Sequence, residues 1–157
     1  MGGGDLMKHL PTLPDAVANI RGSAGAPHLA GVVEFYQKRN AVLVVARITG
    51  LPSTNPTGFF AMHIHAGTSC GGTDFVDTGG HYNPTAQPHP RHAGDLPPLL
   101  YCNAGAYLAV LSDRFTVRDV MGRTVVIHGG ADDFFTQSAG NSGAKIGCGE
   151  IRPVARR

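Results

Sequence analysis

Five of the chain's eight histidines fall within residues 62–95, beside the carboxylate of Asp95. Packing alone does not gather imidazoles, because a buried ring needs a partner for each nitrogen and an exposed one gains nothing from its neighbours. A transition metal supplies the reason. In Ala61-Met62-His63-Ile64-His65 the histidines alternate with apolar residues, the period of a strand. Both rings then project from one face, with Cα atoms roughly 6.5–7 Å apart, and can bind one ion. His81, His89, His92 and Asp95 follow in a Gly- and Pro-rich segment without periodicity. Such a segment has no apolar face to pack on a core, and a metal can hold it instead.

The pattern on either side is that of strands. Ala16, Ala18 and Ile20 alternate before a break at Gly22-Ser23-Ala24-Gly25. Residues 28–37 and 40–49 are β-branched and aromatic runs separated by Lys38-Arg39, the pattern of an antiparallel pair. Further strands are expected over 59–65, over 96–102 after an abrupt proline turn, over 106–112, over 123–128 and over 145–154. The run Thr124-Val125-Val126-Ile127-His128 is apolar enough to be buried on both faces and delivers His128 at its end. Two stretches, 70–95 and 129–144, have little periodicity, and long loops in a compact domain are generally functional or disordered. The expected architecture is all-β, an antiparallel Greek-key barrel or sandwich of about eight strands with two long functional loops. Residues 1–14 read as a flexible arm and 15–157 as a single domain.

Composition narrows the function. Lysine and arginine exceed aspartate and glutamate by only two and are dispersed, which argues against a nucleic-acid surface and leaves room for a small anionic substrate. No apolar run approaches the ~20 residues needed to cross a bilayer. The start, Met1-Gly2-Gly3-Gly4-Asp5, has neither a basic nor an apolar export region. The expectation is a cytoplasmic protein as written, with an exported form lacking its signal as the alternative. Three cysteines, Cys70, Cys102 and Cys148, allow one disulfide or none. Cys102 reads as a small apolar residue within the sheet, and Asp133 as a solvated loop carboxylate. His9 and His28 read as solvated.

Four segments resemble the copper/zinc superoxide dismutase family: AMHIH at 61–65, GGHYNPTAQPHPRHAGDL at 79–96, GRTVVIHGGADD at 122–133 and GNSGAKIGCGEI at 140–151. The resemblance implies copper held by His63, His65, His81 and His128, and zinc held by His81, His89, His92 and Asp95, with His81 bridging the two. It implies that Asp132 links a copper ligand to a zinc ligand by hydrogen bonds, and that Cys70 and Cys148 form an intrachain disulfide. The implied activity is dismutation of superoxide to oxygen and hydrogen peroxide, copper cycling between two oxidation states while zinc orders its loop. Assembly into a homodimer is left open.

The departures from the family pattern have consequences. The active-site arginine of the family falls at Lys145, which keeps the charge and loses the planar fork, so a lowered activity is one outcome. The zinc loop is shortened between His89 and His92, and Pro88 and Pro90 flank the first of these ligands. The alternative reading is therefore a non-catalytic or weakly active copper/zinc-binding module on the same fold.

Overall fold

The structure, a computed structural model, describes residues 13–156. Most of the arm expected over 1–14, and His9 with it, lies outside the described residues. Among the described residues nine strands form in chain order: β1 (Ala16–Gly22), β2 (Ala30–Gln37), β3 (Val42–Thr49), β4 (Phe59–Phe60), β5 (Met62–His65), β6 (Leu99–Leu100), β7 (Ala106–Ser112), β8 (Thr124–His128) and β9 (Lys145–Pro153). A one-turn helix, α1 (Val117–Val120), precedes β8. It is closed at its start by a capping box in which Thr116 accepts from the Asp119 amide and the Asp119 carboxylate accepts from the Thr116 amide.

Every strand pairing is antiparallel, and the main sheet runs β5-β8-β9-β1-β2-β3-β7. β4 leads through Ala61 into β5 at one edge and pairs with β6, which contacts β7 at the other edge. The sheet thus curls into the expected barrel. Its interior is filled from alternating positions: Ala16, Ala18 and Ile20 of β1, Val33 and Phe35 of β2, Met62 and Ile64 of β5, Val125 and Ile127 of β8 and Ile151 of β9. Each large side chain removed from water here stabilises the fold by roughly 1.5–3 kcal/mol.

Three details differ from expectation. The strand expected over 59–65 is interrupted at Ala61, whose amide donates to Gly130 O rather than to a strand. The strand expected over 96–102 is reduced to β6, because Pro97 and Pro98 have no amide to give to a ladder. Cys102 is exposed rather than buried in the sheet: it begins a tight turn to Gly105 in which Asn103 and Ala104 both take positive φ. No helix of the described residues is long and apolar enough to cross a membrane.

Candidate metal centre

β5 is buried on both faces. Met62 and Ile64 point into the barrel, so His63 and His65 point outward beneath two loops, 66–96 and 129–144. His128, at the end of β8, joins them on that face. Lys145 arrives by a different route. The β8–β9 register runs Val126 to Cys148 and Ile127 to Gly147, then slips so that His128 opposes Lys145 and Ile146 is left over. A one-residue slip reverses the face of every side chain beyond it. Without this bulge Lys145 would turn inward; with it, Lys145 lies beside His128.

Two donor groups result, each with ligand atoms within 4.8 Å of one another: His63, His65, His81 and His128 in one, and His81, His89, His92 and Asp95 in the other. His81 is common to both. The short spacing between His89 and His92 does not prevent closure of the second group. The loop is shaped by Asn83, which exchanges hydrogen bonds with the Gln87 backbone, and by a turn in which the His92 amide donates to Asp95 Oδ2. Gly94 lies so close to Ile64 O that a Cβ would sit 2.2 Å from it. Glycine is required there.

Hydrogen-bond partners fix which nitrogen each ring can offer. His65 Nδ1 is 2.8 Å from Gly79 O and His128 Nδ1 is 3.1 Å from Gly143 O. A carbonyl only accepts, so both Nδ1 atoms carry the proton and both Nε2 atoms present lone pairs. These two Nε2 atoms are 3.2 Å apart. Asp132 accepts from His63 Nε2 through Oδ2 and from His89 Nε2 through Oδ1, each at 2.8 Å. That leaves His63 Nδ1 and His89 Nδ1 bare. Both are buried without a hydrogen bond, as is His81 Nε2, although His89 Nδ1 lies 3.1 Å from Asp95 Oδ2. An unsatisfied buried polar atom costs about 1–3 kcal/mol, so three in one cluster call for a cation.

The electrostatics agree. Burial presses the His65 and His128 pKa values down to about 2 and about 3, and lowers those of His63 and His92. The rings are therefore neutral, the state a metal requires. Burial alone would raise Asp132, but hydrogen bonds from His63, His89 and the Phe134 amide outweigh it and hold the carboxyl well below its usual range. For Asp95 burial likewise acts upward and is overcome by the hydrogen bond from His81 and the charge effects of His81, His89 and His92. An all-nitrogen group suits copper, and three nitrogens with one carboxylate suit zinc.

The Cys70–Cys148 disulfide ties loop 66–80 to β9 across 78 residues of sequence. Lys145 Nζ donates to Thr78 Oγ1 at 2.7 Å and to Gly79 O at 2.9 Å. Asp133 is more than a solvated carboxylate: it accepts from the Phe135 and Thr136 amides and the Thr136 hydroxyl, shaping the loop beside Asp132. Sequence reasoning missed two residues. Gln137 exchanges two 2.8 Å hydrogen bonds with the His89 backbone, and Arg114 Nη1 donates to Pro90 O and His92 O. Neither has a sequence signal, since each reaches loop 66–96 from a distant segment.

A family model described as copper/zinc superoxide dismutase matches residues 29–151. The chain is 33% identical over 137 residues to Cu-Zn superoxide dismutase 1 of Aquifex aeolicus, spanning 78% of this chain and 79% of that one. It is 31% identical over 145 residues to Cu-Zn superoxide dismutase 3 of Arabidopsis thaliana, spanning 82% and 85%. It is also 33% identical over 114 residues to the superoxide dismutase-like protein YojM of Bacillus subtilis, spanning 63% and 58%. Among solved structures, a double mutant of a superoxide dismutase-like protein from Bacillus subtilis matches with a TM-score of 0.74 at 26% identity, over 87% of this chain and 96% of that chain.

Proposed function

We propose, from the premise that the chain belongs to the copper/zinc superoxide dismutase family, that it binds one copper and one zinc and converts two superoxide anions and two protons to oxygen and hydrogen peroxide. The observation that supports this best is the set of rings with bare nitrogens converging on two points that share His81. Copper would be held by His63 Nδ1 and by His65, His81 and His128 through Nε2. Zinc would be held by His81, His89 and His92 through Nδ1, with Asp95. Copper when bound supplies a one-electron couple, able to take an electron from one superoxide and give it to the next.

The protein's own groups do the rest. Asp132 fixes the tautomers of one ring from each set, so the bare nitrogens face the ions before binding. His81 Nδ1 lies 2.8 Å from Asp95 Oδ1 and donates a hydrogen bond to that carboxylate. To hold both cations, His81 would have to give up this Nδ1 proton, since each of its two nitrogens serves one donor group. Lys145 supplies a fixed positive charge at the rim. It is the single cation in residues 129–145, so attraction of an anion along this loop depends on it.

The competing reading, a metal-binding module without useful activity, is favoured by lysine standing where the family's arginine is expected. Reconstitution followed by elemental analysis and a superoxide assay separates them. The dismutase reading expects about one copper and one zinc per chain and dismutation well above that of equimolar copper bound to a small chelator. Full metal content without dismutation would establish the module.

A further inference from the structure

Lysine is a poor substitute for arginine where geometry matters, because its charge sits on a flexible stem and lacks a planar fork. Here the flexibility is removed. The Thr78 side chain is fully buried, and its hydroxyl donates to Phe75 O at 2.8 Å. The hydroxyl hydrogen is thereby committed, so Thr78 Oγ1 meets Lys145 Nζ, at 2.7 Å, purely as an acceptor. Thr78 is itself immobilised. Its carbonyl accepts from the Gly67 amide, and Phe75 packs with Val126 and the Cys70–Cys148 pair beneath the Arg21 guanidinium, which lies 5.1 Å from the Phe75 ring.

The second acceptor of Lys145 ties it to the metal cluster. Gly79 O takes a hydrogen bond from Lys145 Nζ and another from His65 Nδ1, so one carbonyl sets the ammonium and a copper-site ring in fixed relation. An ammonium has three N–H donors. Two are spent on Thr78 and Gly79, and the third is left for an anion.

We infer that Thr78 is a positioning residue for Lys145: its buried hydroxyl holds the lysine against the copper-site face so that an ammonium can guide a small anion there. The inference rests on the proposed function for its biological meaning and on the Thr78–Lys145–Gly79 geometry for its content. A hydroxyl acceptor does for a lysine what a second guanidinium nitrogen does for an arginine, which is to fix direction as well as charge.

The test uses azide, a small monoanion, titrated into the copper/zinc-loaded protein and followed through the copper visible spectrum. Thr78→Val keeps the shape and removes the acceptor, and should weaken azide binding about threefold to tenfold, less than the roughly tenfold to thousandfold effect of a focused charge because the charge is loosened and not removed. Thr78→Ser should restore binding to within about twofold of wild type, because the hydroxyl is retained. Lys145→Met should weaken binding at least as much as Thr78→Val, and the double variant should be no weaker than Lys145→Met alone. Wild-type affinity in Thr78→Val, failure of Thr78→Ser to rescue, or additive losses in the double variant would each overturn the inference. A measurement on the unmutated chain guards against misfolding of the variants. In the zinc-loaded, diamagnetic protein the Lys145 ammonium protons should exchange slowly enough to give an NMR cross-peak, and an absent cross-peak counts against the anchor. An intact azide pattern without dismutation would refute the enzyme reading and leave the role of Thr78 standing.

Discussion

Asp132→Asn should damage copper binding more than zinc binding, although Asp132 touches one ring of each set. The asymmetry follows from the hydrogen-bond count. Oδ1 accepts from His89 Nε2 and from the Phe134 amide, both at 2.8 Å, whereas Oδ2 accepts from His63 Nε2 alone. An asparagine has one carbonyl oxygen and one NH2, and the oxygen belongs where two donors meet. The NH2 then faces His63 Nε2–H, donor against donor. Relief comes when the His63 proton moves to Nδ1, the nitrogen proposed to bind copper. Loss of such a supporting partner typically costs about 10–100-fold in metal affinity, equivalent to about 1.4–2.7 kcal/mol. Competition against chelators of known affinity should show copper weakened by that factor and zinc by no more than about threefold, since His89 keeps an acceptor. Asp132→Ala, with no acceptor for either ring, should weaken both. A zinc loss in Asp132→Asn with copper unchanged, or no change in either, would refute the tautomer assignment.

Three further outcomes are expected. His81→Ala should reduce retention of both metals, whereas His89→Ala should mainly reduce zinc; elemental analysis after dialysis distinguishes a shared ligand from an unshared one. Replacing Cys70 and Cys148 by serine opens a loop of 78 residues, for which the chain-entropy relation gives a loss of about 4–5 kcal/mol in unfolding free energy, measurable by denaturant titration. The metal-free protein should lose stability in acid: burial holds the folded His65 and His128 at pKa values of about 2 and about 3, below the ordinary 6.5 of an unfolded chain. The unfolded state therefore binds the extra protons, so stability is intact above about pH 6.5 and falls below it, by about 2 kcal/mol per histidine at pH 5. Urea unfolding at those two pH values gives the sign directly.

The strands and the His63–His65 pair were legible because both follow local rules. Alternation placed Ala16, Ala18 and Ile20 inside, and the same alternation placed His63 and His65 on one outer face. What was not legible is non-local. The slip opposite Ile127 and His128 brings Lys145 to the metal face, yet nothing in Lys145-Ile146-Gly147 distinguishes a bulged strand from a regular one. Gln137 and Arg114 brace loop 66–96 from 48 and 22–24 residues away, contacts that periodicity does not encode. For Cys102 residue type points into the sheet, but the turn that follows, where Asn103 and Ala104 take positive φ, leaves the thiol outside.

If the metal centre dismutates superoxide as proposed, with Lys145 drawing the anion to it, the rate must depend on that charge. Its most direct test is the second-order rate of superoxide disappearance with the copper/zinc-loaded protein, measured as ionic strength is raised. The expected rate is well above that of chelated copper and falls as salt screens the charge over a Debye length of about 10 Å at 0.1 M, with Lys145→Met slower and less sensitive to salt. A loaded wild type no faster than chelated copper, or a rate indifferent both to salt and to the loss of Lys145, would contradict it.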